Sequence, residues 1–159
     1  MPLKIRWSSR EYIHSAILLF AACGLFQVLY IYLGQYFLEV GNYVIVIIIP
    51  TGVVVALFFA SIIIFEAFAQ VERHKKLKRQ FKKSKGYTSR IKNFFYFPVV
   101  RPLLITFIFF TVFFFIIYSI SLIFITPENS YLLAEISSGI ICLLIANLFE
   151  KNYAKVRRF

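Results

Sequence analysis

Residues 43–69 read YVIVIIIPTGVVVALFFASIIIFEAFA, and residues 72–92 read ERHKKLKRQFKKSKGYTSRIK. The first stretch carries a single charge, Glu66, and exceeds the roughly 20 residues a helix needs to cross the hydrocarbon core of a bilayer. It is a continuous apolar run without the in-out alternation of a barrel strand. The second stretch is dense with lysine and arginine. An apolar span that runs directly into a block of cations is a helix leaving the membrane on its cytoplasmic side.

Three more apolar stretches flank this junction. The spans are predicted at 12–36, 43–69, 98–125 and 131–149, with a basic loop over 70–97 and a short basic tail over 150–159. The links between spans one and two, and between three and four, are short, so each pair forms a helical hairpin. The predicted fold is all-α, a single membrane domain over 1–159 built as a four-helix bundle. Lysine and arginine occur at Lys4, Arg6 and Arg10, from Arg73 to Arg101, and from Lys151 to Arg158, with none between Glu11 and Glu72 or between Pro102 and Glu150. Four crossings bring those three basic segments to one face, which the positive-inside rule makes cytoplasmic, together with both chain ends.

The chain has 159 residues, is 60% hydrophobic and carries a net charge of +11. A soluble domain of this size cannot bury so much apolar surface. The charge would suggest nucleic acid in a soluble protein, but its confinement to one membrane face and the lack of a reader motif argue against that. Cys23 and Cys142 each sit inside an apolar block, without metal-ligand spacing, and read as small packing residues. The first span lacks a cleavage site and reads as retained. Trp7, Tyr12, Tyr36, Tyr43, Tyr96, Tyr131 and Tyr153 fall near expected interfaces, where amphipathic rings are favoured. Pro50 is expected to kink the second helix or delay its start.

Membrane helices associate through close packing at small residues. Gly52, Ala56 and Ala60 are spaced by four on the second span, and Ser138, Cys142 and Ala146 on the fourth. These stripes hold the bundle together or dock another membrane protein. The third span is rich in phenylalanine (107, 109, 110, 113, 114, 115 and 124), a bulky surface suited to lipid or to a partner's groove. Glu66 and Glu135 are carboxylates at or beside membrane depth, which makes them functional candidates. Both are placed near enough to an interface for partial solvation. In the basic loop, Lys75, Lys76, Lys78, Arg79, Lys82 and Lys83 form a surface for anionic lipid or an acidic partner. The second helix is expected to run on as far as Gly86.

No phosphate-binding loop, nucleophile elbow or H-E-x-x-H motif is present, and there is no aspartate. His14 and His74 lie near the inner face and make a poor pair of haem ligands. Catalytic, cofactor-binding and metal-binding residues are therefore expected to be absent.

PVVRPLL at 98–104, followed by a long span and then LAEISSGIICLLIANLFE at 133–150, resembles the NADPH oxidase light chain family, which includes the alpha subunit of the phagocyte flavocytochrome b. The family has a similar Val-Arg pair before its third span and an LA-x-x-SGI-type start to its fourth. The start of the chain around Trp7, Glu11 and Ser15, and Glu66 before a lysine-rich stretch, are similar too. Arg101, Ser138, Gly139 and Glu66 correspond to family positions. The resemblance implies a non-catalytic accessory subunit that pairs as a heterodimer with a six-span, haem-containing NADPH oxidase subunit. It would stabilise that subunit, help it leave the endoplasmic reticulum and support superoxide production. Haem, FAD and NADPH would then belong to the partner, and the complex to the endoplasmic reticulum or plasma membrane. Residues 150–159 contain no P-x-x-P, so recruitment of an SH3-containing organiser is not expected, and shorter fungal or protist light-chain-like proteins are the closer comparison. The alternatives are a four-span scaffold or assembly factor that binds anionic lipid through the basic loop, and a small transporter that uses Glu66 or Glu135.

Overall fold

The computed structural model describes residues 10–79 and 99–155. Four helices make up almost all of that: α1 (Arg10–Tyr36), α2 (Tyr43–Arg79), α3 (Val100–Ser121) and α4 (Pro127–Lys155). Each contains a stretch long and apolar enough to cross a membrane, at Ile13–Tyr36, Tyr43–Ala69, Val100–Ser121 and Pro127–Asn152. The shortest of these has 22 residues, which at 1.5 Å per residue is about 33 Å, enough for the hydrocarbon core. The protein is an all-α integral membrane protein, and its helices pack as a bundle.

The packing fixes the direction of each helix. Leu19, Ile62, Phe65 and Val99 form one buried cluster, and the rings of Phe68 and Phe149 lie 5.5 Å apart. The start of α1, the end of the α2 span, the start of α3 and the end of the α4 span therefore meet at one end. At the other end, Tyr131 of α4 lies beside Gly34 of α1 and Val46 of α2 and against Phe114 of α3. Successive helices are antiparallel. The end that carries Arg73 and Lys151 is the one the positive-inside rule assigns to the cytoplasm.

Each helix turns one seam inward. On α1 the buried seam is Leu19, Cys23, Gln27, Tyr30 and Gly34; on α3 it is Pro102, Thr106, Phe110, Phe114, Tyr118 and Ser121. These repeat every three or four residues, as one helix face must. The opposite faces, such as Leu25, Val28, Leu29 and Tyr32 on α1 and Ile108, Val112 and Ile116 on α3, are exposed and apolar. In a water-soluble protein patches of that extent mark interaction sites; in a bilayer they contact lipid or another span.

The phenylalanine-rich third span does not present a uniform outer surface. Phe110 and Phe114 are completely buried, and the Tyr30 ring meets both edge-on at 5.0 and 4.8 Å. Phe107 is half-buried and stacks on Phe26 with centroids 4.0 Å apart. Phe109 and Phe115 face outward, and Phe124 lies beyond the helix. Offset and edge-on aromatic pairs of this kind add about 0.5–1.5 kcal/mol each beyond their area, so α3 contributes much of the core.

Several predicted boundaries move. α3 stops at Ser121, four residues before the expected Ile125. The chain then tightens into a turn in which the N–H groups of Phe124 and Ile125 both donate to the Ser121 carbonyl. α4 starts at Pro127, four residues before the expected Tyr131. The local chemistry explains this start. Pro127 needs no hydrogen-bond acceptor at the first helical position, Glu128 suits the positive end of the helix dipole, and the Ser130 N–H donates to the Thr126 carbonyl at 2.9 Å. α2 starts at Tyr43 without delay, because the Asn42 side-chain oxygen accepts the Val44 N–H at 3.1 Å. It continues through Pro50, and next to that proline the Thr51 hydroxyl donates to the Ile47 carbonyl at 2.7 Å. Beyond Ala69 it runs a further ten residues to Arg79, about 15 Å past the span. The expected stop at Gly86 lies outside the described residues. In the α1–α2 turn, Glu39 adopts a left-handed backbone with φ of 50°, a conformation that strains any side chain other than Gly or Asn.

Candidate functional site

The interior of the bundle is not uniformly apolar. In its inner half, a chain of polar side chains links all the helices. Cys23 Sγ of α1 lies 3.7 Å from Ser61 Oγ of α2. The Ser61 hydroxyl donates to Thr106 Oγ1 of α3 at 3.2 Å, and the Thr106 hydroxyl donates to the Pro102 carbonyl at 2.9 Å. Cys142 Sγ of α4 points at the Thr106 carbonyl from 3.8 Å. Interhelical hydrogen bonds in membrane proteins contribute on average about 0.6 kcal/mol each. This chain fixes register more than it adds stability. Both cysteines are buried free thiols, in keeping with a packing role.

The outer half holds a denser cluster. Tyr30 of α1 donates its hydroxyl to Thr111 Oγ1 of α3 at 3.0 Å. Tyr131 of α4 reaches across to α1, with its hydroxyl 3.1 Å from the Tyr30 carbonyl and 3.4 Å from Glu135 Oε1, one turn along its own helix. The Gln27 side chain of α1 is the next polar neighbour of Glu135. Glu135 and Tyr131 are both 0% exposed and Gln27 is 1% exposed. Two expectations are corrected here. Tyr131 is not an interfacial anchor but a central core side chain. Glu135 is not partly solvated. Both errors have one cause: α4 begins at Pro127, so these residues lie a full turn deeper than a start at Tyr131 would place them. Tyr36 and Tyr43, by contrast, are exposed at the outer end, as are Phe37 and Phe124.

The remaining candidates separate by position. Ser138, Cys142 and Ala146 all face inward, with Ala134 continuing the same seam. Gly139 is buried against α2, where an added Cβ would come within 3.2 Å of Val53 and 3.7 Å of Ala56. The α2 stripe is not one internal face. Ala60 is fully buried and Ala56 half-buried, whereas Gly52 is exposed with open space around it. Glu66 is half-buried near the inner end of the α2 span, and Arg101 is exposed in the first turn of α3. For Lys75, Lys76, Lys78 and Arg79 the helical backbone of α2 is described; Lys82 and Lys83 lie outside the described residues. His14 is exposed on the first turns of α1.

Gln27 was not singled out from the sequence. A signal for it was present: it is an amide in the middle of an apolar span, and polar side chains at that depth face the bundle interior.

This architecture defines an integral membrane protein of four spans, with an enclosed polar cluster in its outer half and a basic inner end. No family model matches the chain, and no curated protein and no solved structure matches it.

Proposed function

We propose that the chain is a non-catalytic light-chain-like subunit that stabilises and matures a haem-containing NADPH oxidase subunit, in the endoplasmic reticulum and at the plasma membrane. The observation that carries this reading is the motif pair, Val100-Arg101 leading into α3 and Leu133–Ile140 on α4, set in a chain whose cations are confined to three segments at or beyond the ends of its apolar spans. The positions of the motif residues are compatible with it. Gly139 serves the chain's own α2–α4 contact and Ser138 is buried inside the bundle, which leaves the exposed apolar faces of α1 and α3 for a partner's spans. On this reading the haem, FAD and NADPH reside on the partner. The test is co-purification in mild detergent from cells that make the chain. A haem-containing oxidase subunit should accompany it, and deletion of the chain should abolish superoxide production and deplete the mature partner. Superoxide output that survives deletion unchanged would reject the proposal.

One observation favours a second reading, a scaffold that binds anionic lipid. The helix that carries Lys75, Lys76, Lys78 and Arg79 continues about 15 Å beyond the span, and each cation near an anionic surface contributes about 1 kcal/mol. Replacing these four residues with glutamine should lower binding of the cytoplasmic segment to phosphatidylserine vesicles by two to three orders of magnitude. If that loss abolishes function while an oxidase complex stays intact, the scaffold reading replaces the first.

A further inference from the structure

Among the described residues, the buried side-chain nitrogens and oxygens without a hydrogen-bond partner are Gln27 Oε1, Gln27 Nε2 and Glu135 Oε2. All three belong to the outer polar cluster. Unpaired buried polar atoms are rare and require a physical explanation. Glu135 raises a second problem. A charged carboxylate enclosed at membrane depth needs a counter-charge, yet the sequence has no lysine or arginine between residues 11 and 72 or between 102 and 150. His14 is exposed on the first turns of α1, at the inner end.

The groups facing Glu135 supply no positive charge. From α1 they are the Gln27 amide and the Tyr30 phenol; from α4, the Tyr131 phenol; the Cys142 thiol faces Tyr30. Around Tyr131 and Gly139, α2 presents Val46, Val53 and Ala56, and α3 presents Phe114. The ionisable groups on the outer turns, Glu39 and Glu128, the latter beside Gly41, have the same sign.

The hydrogen bonds show what is missing. The Tyr131 hydroxyl has one hydrogen and two oxygens within reach, the Tyr30 carbonyl at 3.1 Å and Glu135 Oε1 at 3.4 Å. With that hydrogen in the shorter contact, the longer one closes only if the carboxyl brings a hydrogen of its own. The Gln27 amide beside the carboxyl carries both a donor and an acceptor, so its oxygen can take the same hydrogen.

We propose that the Glu135 carboxyl, enclosed between α1 and α4, is a proton-binding site that the folded chain holds as the neutral acid, with Tyr131 and Gln27 as its hydrogen-bond partners. The chemistry is one O–H bond formed from a carboxylate and a proton, with no electron transferred. The proton exchanges with the outer aqueous phase. Glu135 lies eight residues from the start of α4 and twenty from its end, or about 12 Å against about 30 Å along the helix. This assignment is independent of the oxidase reading.

Infrared spectroscopy of the full chain in choline chloride buffer at about pH 7 tests it. All seven acidic side chains are glutamates, and those in water are ionised there. The spectrum should contain the carbonyl stretch of one protonated carboxylic acid per chain, shifted in D2O. The band should vanish in Glu135→Gln and persist in Glu66→Gln. In thermal or denaturant unfolding, the wild-type unfolding constant should rise by up to tenfold per pH unit across the range where the unfolded carboxyl is ionised and the folded chain still holds its proton, and should level off once the folded chain releases it; Glu135→Gln should not show that rise. Should Glu135→Gln not accumulate, the wild-type spectrum still decides, and Gln27→Leu should keep the band at a changed frequency. The proposal is overturned by a wild-type spectrum with no acid carbonyl, by a band that survives Glu135→Gln, or by stabilisation on replacing choline with sodium or potassium, which would mean that a metal ion neutralises the carboxylate.

Discussion

Gly34→Leu is expected to open the outer end of the bundle, lowering stability by more than about 3 kcal/mol, the upper end of what overpacking usually costs. An added Cβ at Gly34 would already lie 3.0 Å from two carbons of the Tyr131 ring and 3.1 Å from Val46 Cγ1. Neither neighbour can retreat. The Tyr131 ring is fully buried, tethered through its hydroxyl to the Tyr30 carbonyl and backed by Phe114 with centroids 5.8 Å apart. Val46 is also fully buried. Three further carbons of a leucine have no space. Gly24 and Gly52 provide internal controls, because an added Cβ at either meets nothing within 4 Å. Unfolding in mixed micelles should show Gly34→Leu strongly destabilised, with Gly24→Leu and Gly52→Leu close to wild type. Equal losses at all three positions would mean that the close approach of Tyr131 to Gly34 does not govern them, since leucine is the better helix former at each.

The contrast between these glycines shows where the sequence was legible. The spans were readable because the bilayer imposes a length and a polarity on every crossing segment, and the cations between them fixed its sidedness. The inward faces were not readable. In water a helix reveals its core by amphipathic contrast, but here both the core and the lipid are apolar. Phe109 and Phe110 are chemically identical, yet one faces out and the other is completely buried. Gly34 and Gly52 likewise look alike in the sequence, and only the position of Tyr131 separates them. The misplacement of Tyr131 and Glu135 has a different origin. An interfacial tyrosine and a core tyrosine have the same side chain, so depth follows from the helix start, which Thr126-Pro127-Glu128 sets and hydropathy does not mark. Gln27 gains its meaning only because Tyr131 and Glu135 of α4 face α1 across the bundle, a contact that no local pattern encodes.

Tyr131→Ala is the second substitution expected to have a large effect, and its magnitude depends on the bilayer. In a soluble core, deleting a buried aromatic ring costs about 3–5 kcal/mol, combining lost transfer free energy with the cavity left behind. Lipid is as apolar as the bundle interior, so the transfer contribution largely disappears. What remains is the cavity between Gly34, Val46 and Phe114, together with the lost hydroxyl contacts to α1 and Glu135. The expected loss is about 2–4 kcal/mol. Tyr131→Phe keeps the ring and should lose only about 1 kcal/mol. Combining the alanine with Gly34→Leu separates shape from chemistry. If the leucine clashes with the tyrosine ring, it should move into the volume that ring vacates. The double variant should then be more stable than Gly34→Leu alone, with a coupling of about 1–3 kcal/mol in a double-mutant cycle. Strictly additive losses would mean that the two side chains do not compete for the same space, and the antiparallel α1–α4 contact on which the outer polar cluster rests would have to be redrawn.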